Sequence, residues 1–133
     1  METQTMHLRQ SSDIVPARQA CREMAHELGF GSADQTRLAT AVSELTRNAI
    51  QYAGQGVCVI TDESNDEAIK IRVVVKDKGP GIPDIEKAMG RGFSTSGGLG
   101  AGLPGAKRLV QEFEIKSKPG NTVVAILIKR KRT

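Results

Sequence analysis

At 133 residues and 14.3 kDa the chain has the size of one ordinary domain, so a two-domain enzyme or a transmembrane receptor is not expected, and a core can form without metal or disulfide staples. Hydrophobic residues make up 38%, charged residues 26% and mean hydropathy is −0.30; no apolar run approaches the ~20 residues that cross a bilayer, so a soluble protein without a membrane partner is expected. Four of the charges behind the net +4 are Lys129, Arg130, Lys131 and Arg132, and the chain has no Trp, one Tyr and three Phe, which argues against a nucleic-acid reader that stacks bases.

Met1 to Leu8 is polar and has neither a basic n-region nor an apolar h-region, so secretion has no support and the cytoplasm is the expected location. Asp13 precedes an apolar series, Ala17, Ala20 or Cys21, Met24 and Leu28, that predicts a helix ended by Gly29. Pro16 falls in its first turn, where a missing N–H costs nothing. Ser32 with Gln35 reads as a capping box opening a second, longer helix with a stripe of Leu38, Ala41, Val42, Leu45 and Ala49. That helix stacks Glu44 and Asn48, four apart, on one flank. Cys21 and Cys58 lack metal-ligand spacing and are expected as packed free thiols.

After Gly56 the period drops from 3.6 to 2. Val57 to Thr61 predicts one strand, and Ile69, Ile71, Val73 and Val75, alternating with Lys70, Arg72, Val74 and Lys76, a second that closes a hairpin. Asp77 stands where that strand stops, before the Gly- and Pro-rich segment Gly79 to Pro83. A short helix is expected around Ile85, Ala88 and Met89, and Gly90 to Gly102 reads as a loop. Helical spacing resumes at Leu103, Ala106, Leu109, Val110 and Phe113; then come a strand over Phe113 to Ser117, a Pro119-Gly120 turn, and a central strand over Val123 to Ile128. The expected fold is a two-layer α/β sandwich, a mixed, mostly antiparallel sheet covered on one face by helices, forming one domain over 1–133 with a solvated basic tail at 129–133.

The chain has no P-loop and no protein-kinase HRD or DFG set. Three separated stretches nevertheless suit one ligand. Backbone N–H groups near Gly100 to Leu103 would face phosphate at a helix N-terminus. Asn48 can offer a neutral oxygen to Mg²⁺. Asp77 can accept a hydrogen bond from an adenine amino group, with Gly79 and Gly81 letting the backbone pass close to the base, and Glu44 can orient or deprotonate a hydroxyl.

Glu44-Leu45-Thr46-Arg47-Asn48 resembles the N box of the GHKL, or Bergerat-fold, ATPases, Asp77-Lys78-Gly79-Pro80-Gly81 their DxGxG box, and Gly98-Leu99-Gly100-Ala101-Gly102-Leu103 their second glycine box. More closely, the chain from Asp13 onward is similar to the small serine/threonine kinases of the stressosome switch, relatives of the anti-sigma-factor kinases; Phe93 to Gly105 is the most telling stretch. The resemblance implies ATP and Mg²⁺ as cofactors, Glu44 as catalytic base, Asn48 as metal ligand, Asp77 as the adenine-reading carboxylate, and Gly79, Gly81, Gly98, Gly100 and Gly102 as a cradle that continues to Leu103. Ser94 and Thr95 are read as loop groups that touch phosphate on closure. It also implies STAS-domain partners, an antagonist and larger scaffold proteins, and a PP2C-type phosphatase that the released kinase activates through its N-terminal region. A homodimer is compatible with the family and not required. The chain departs from some relatives before the final strand, where Asn121 replaces a glycine ahead of Thr122; the resemblance implies a nucleotide contact by Thr122 across this shorter turn.

Blander readings exist for each residue. Glu44 can be a helix-surface carboxylate paired with Arg47 or Asn48, Asp77 a turn former, and Gly98 to Gly102 a connector. At the level of function, a nucleotide-gated binding switch and a plain ATPase stand beside the protein kinase.

Overall fold

The computed structural model describes residues 2–82, 89 and 102–132. Among these, strands β1 (Thr3–Leu8), β2 (Gly56–Asp62), β3 (Ala68–Asp77), β4 (Glu112–Lys118) and β5 (Asn121–Lys131) form one sheet in the order β1-β2-β3-β5-β4. Each neighbouring pair is antiparallel. Helices α1 (Ile14–Leu28), α2 (Ser32–Ala53) and α3 (Gly102–Leu109) complete the two-layer α/β sandwich.

The alternation of β3 decides which face is covered. Ile69, Ile71, Val73 and Val75 are buried, together with Cys58 and Ile60 of β2 and Val124, Ile126 and Ile128 of β5. They meet Ala17, Cys21, Met24 and Ala25 of α1 and Leu38, Val42, Leu45 and Ala49 of α2 in one core. The opposite face has no helix over it among the described residues. There Arg72, opposite Leu127, reaches Glu63 (3.0 Å) and, more loosely, Glu112 (3.6 Å). Glu112 is in turn Leu127's partner on β4, so this ion-pair chain roofs a leucine only 3% exposed on a face without helices.

Helix α1 ends as expected, on Gly29 at φ +98, a left-handed conformation in which its N–H bonds back into the helix. The expected capping box of α2 does not form. Ser32 is already helical, Gly31 is the N-cap without a side-chain bond, and Gln35 donates from Nε2 to the Phe30 carbonyl at 2.8 Å. Helix α3 stops at Leu109, so Val110 lies past its end and Phe113 belongs to β4. Both cysteines are buried free thiols; a mutual hydrogen bond, then burial, pushes the Cys21 thiol well above its ordinary range.

Two further features differ from the sequence reading. Thr3–Leu8, read there only as part of a polar segment, forms edge strand β1, with Leu8 fully buried against the core. The basic tail is not a loose end, because Lys129 to Lys131 continue β5 in register with Ala68 to Lys70 of β3. Arg130 grips the buried Asp34 of α2 with two hydrogen bonds, Nε to Oδ2 at 2.5 Å and Nη2 to Oδ1 at 2.8 Å.

Candidate functional site

Helix α2 carries Glu44 and Asn48, and its 22 residues are buried nearly all round in the middle because α1, α3 and the sheet pack against it. Ser43 and Thr46 fit there by turning their hydroxyls back to the carbonyls of Ala39 and Val42, at 2.9 and 2.8 Å. Glu44 is 4% exposed and accepts from Arg47 Nη1 at 2.7 Å. The pairing that suggested an ordinary surface carboxylate is therefore present, but it is buried. Asn48, one turn further on, is half-buried.

Asp77 ends β3 at 7% exposure, opposite Thr122 at the start of β5. Burial pushes its carboxyl above the usual carboxylate range, against the pull of a 3.0 Å hydrogen bond that Oδ1 accepts from the Gly79 N–H. The chain after it is tied down from both sides. The Gly79 carbonyl accepts from Gly120 N–H at 2.8 Å, and Ile82 N–H donates to Ser117 Oγ at 2.8 Å. Ser117 Oγ also shares a 2.6 Å hydrogen bond with Thr122 Oγ1.

The glycines here have a packing reason that spacing alone does not reveal. A Cβ on Gly79 would stand 2.6 Å from Ala53 Cβ and 2.9 Å from its Cα, so the loop lies directly against the last turn of α2. Gly81 has φ +85, and a Cβ there would meet the Lys118 carbonyl at 2.8 Å. Gly102, at φ +69, opens α3, whose Leu103 is buried and whose Pro104 has no N–H to offer.

Helix α2 is thus the element on which the described parts meet. It bears Glu44 and Asn48, its C-terminal turn backs the loop after Asp77, and α3 packs along it from Gly102 onward. Thr122 is drawn in beside Asp77. Ser94, Thr95, Gly98 and Gly100, the helix expected around Ile85 and Ala88, and the loop Gly90 to Ala101 lie outside the described residues. Sequence reasoning missed Ser117 and Ala53 as supports of the loop after Asp77. A serine in a strand or an alanine before a helix-ending glycine gives no sign of supporting a loop far along the chain.

No group of three His, Cys, Asp or Glu side chains able to hold a metal occurs among the described residues. A divalent ion beside Asn48 would need most of its ligands from phosphate and water, which suits Mg²⁺. Asp77 accepts at Oδ1 from the Gly79 N–H, and among the described residues no donor reaches Oδ2, so an exocyclic amino group is a chemically apt partner.

Residues 33–132 match the model of the histidine kinase-, DNA gyrase B- and HSP90-like ATPases. The chain belongs to this family. Within this GHKL family it is close to the RsbT-type kinases: it is 55% identical over 108 residues to serine/threonine-protein kinase RsbT of Bacillus subtilis, 81% of either chain. It is 34% identical over 94 residues to anti-sigma F factor of Thermoanaerobacter sp., covering 68% of this chain and 66% of that protein. Solved structures share the fold. The RsbU and RsbW domains of Rv1364c from Mycobacterium tuberculosis align with a TM-score of 0.69 at 18% identity, over 100% of this chain and 34% of that one. The catalytic domain of histidine kinase ThkA aligns with a TM-score of 0.55 at 22% identity, over 96% and 95%. No helix among the described residues is long and apolar enough to cross a membrane.

Proposed function

We propose that this GHKL protein is an ATP-dependent serine/threonine protein kinase of stress signalling. Its acceptors would be STAS-domain proteins, an antagonist and the scaffold of a stressosome, and on release it would activate a PP2C-type phosphatase by binding its N-terminal region. The observation that carries this reading is the 55% identity to RsbT across 81% of both chains. The buried acid and neighbouring amide on α2 supply chemistry that suits it. The acceptors, the phosphatase and a cytoplasmic location follow from this kinship.

Bound Mg²⁺-ATP would supply the phosphoryl group and a cation to offset its charge. Asn48 would hold the metal through its side-chain oxygen. Asp77 would read the adenine amino group, while Gly79, Gly81 and the backbone from Gly98 through Gly100 and Gly102 to Leu103 would line the nucleotide. Ser94 and Thr95 would touch phosphate, and Thr122 would keep Asp77 in place from the neighbouring strand. Glu44 would accept the proton of the acceptor hydroxyl, its carboxylate held by Arg47 Nη1 at 2.7 Å in a water-poor setting. Positioning and electrostatics would carry most of the acceleration.

Incubation with Mg²⁺, radiolabelled ATP and a STAS-domain protein is expected to label that protein on serine or threonine. Glu44→Gln should reduce the rate on the order of 10²-fold or more, the usual scale for a lost general base, with ATP affinity within a few-fold. Absence of label on any such acceptor would overturn the kinase reading, and full activity in Glu44→Gln would overturn the base. The likeness to anti-sigma F factor supports a second reading, a nucleotide-gated binding switch with dispensable phosphotransfer. Partner release by ATP that survives Glu44→Gln would favour it.

A further inference from the structure

The basic run at the end of the chain has no place in the proposed catalysis. Its arrangement is specific all the same. Lys129 lies directly opposite Lys70 across the β3–β5 ladder, and both project from the helix-free face, since their neighbours Ile69, Ile71 and Ile128 are buried on the other. Like charges facing each other across a ladder destabilise a sheet. Lys131 follows two residues on, on the same face, and no ion pair to Lys70, Lys129 or Lys131 forms among the described residues.

These lysines border a groove of about 790 Å³ between the β2–β3 hairpin and the end of β5. Arg132 is fixed at its rim, with Nε donating to the Asn65 carbonyl and its N–H to the Glu67 carbonyl, both at 2.8 Å. Arg130, engaged by Asp34, keeps this end of β5 against α2. Asp66 and Glu67 are the acids of the lining, so the groove is cationic but mixed. Lys70 lies seven residue steps along β3 from Asp77, about 23 Å of strand.

We propose that this groove is a docking site for an acidic segment of a partner protein, at the end of the sheet remote from Asp77 and usable whether or not the Asp77 end is occupied. The paired lysines are a stability cost that no ion pair among the described residues offsets, and an incoming carboxylate between Lys70 and Lys129 removes it. Asp66 and Glu67 disfavour a uniform polyanion, whereas a peptide can bring backbone N–H groups or a basic side chain to them. The lining has no aromatic ring on which a base could stack, and Ala68 is its one apolar residue, too little to enter a membrane.

The test uses the full chain and a fluorescein-labelled Glu/Ala peptide of about 12 residues, followed by anisotropy. The wild type is expected to bind it, more weakly as salt rises from about 50 to 200 mM, and with the same affinity in the presence and absence of Mg²⁺-ATP. Lys70→Glu and, separately, Lys129→Glu should each weaken binding at least tenfold while raising the melting temperature, because each turns a repelling rung into an attracting one. A loss of binding with a gain in stability is what damage to the fold would not produce. The proposal is overturned if the wild type does not bind the peptide, if both variants bind it as well as the wild type, or if ATP competes with it. Tighter binding of a single-stranded oligonucleotide of equal length, or of phosphatidylserine vesicles, overturns the protein assignment.

Discussion

Two buried aspartates face opposite electrostatic conditions, and their responses to pH and substitution differ accordingly. Asp34 is held below the usual carboxylate range chiefly by its hydrogen bond from Arg130, with Arg37 adding a 2.9 Å contact. A depressed folded pKa means stability that is present above the unfolded value and lost as pH falls through the folded one. Asp34→Asn is therefore expected to lower the urea midpoint at pH 7; its difference from the wild type should start to shrink near the ordinary aspartate value of about 4 and vanish only once the pH has fallen below the depressed folded one. Equal midpoints at pH 7 would deny the pair a structural role. Asp77 runs the other way, because burial raises it. Its contribution is fully present below the unfolded pKa and is lost as pH rises through the folded one, so its charged form is a burden on the free protein at neutral pH. Asp77→Asn keeps an acceptor for the Gly79 N–H and removes the charge. It should leave the melting temperature unchanged or higher without nucleotide and weaken ATP affinity tenfold or more, measured by calorimetry. A lower melting temperature with unaltered affinity would contradict the assignment to the base.

At the scale of elements, what the sequence makes legible is what repeats. The stripe of α2 and the alternation of β3 are visible because each buried position is apolar and each register step repeats the signal. Strand β1 escapes because an edge strand with one covered face needs few apolar residues, and Leu8 is its one fully buried side chain. The Lys129 to Arg132 run misleads for a related reason: lysines on a helix-free face look the same in sequence as lysines in a tail. The spacing of Glu44, Asn48 and Asp77 is legible, but what secures it is not. The loop after Asp77 rests on contacts from Ala53, Ser117 and Gly120, whose partners lie 26 or more residues away or across a turn. Gly79→Ala tests that support. The 2.6 Å approach to Ala53 Cβ forces helix and loop apart, which should cost about 1–3 kcal/mol, as overpacking does. ATP affinity should fall along with it, since the same shift moves Asp77. A Gly79→Ala protein as stable as the wild type by chemical denaturation would mean that the loop and the end of α2 are not in contact.

Over the whole molecule, one sheet presents different chemistry at its two ends. The end with Asp77 and Thr122 is buried and backed by α2, whereas the end with Lys70 and Lys129 is open and cationic. Ligand that binds only the folded state stabilises it by about 2.7 kcal/mol at a hundredfold excess over Kd, but amides near the site gain further protection where local opening is suppressed. Hydrogen exchange with saturating Mg²⁺-ATP should accordingly slow in three described stretches, 44–53, 77–82 and 102–106, and around Thr122. The segments 65–70 and 129–132 should change no more than the global stabilisation requires. The acidic peptide should give the reverse map, with slowing confined to those two segments. A nucleotide footprint at 129–132, or a peptide footprint at 77–82, would mean that the two ends act as a single site, and the division of labour between them would have to be abandoned.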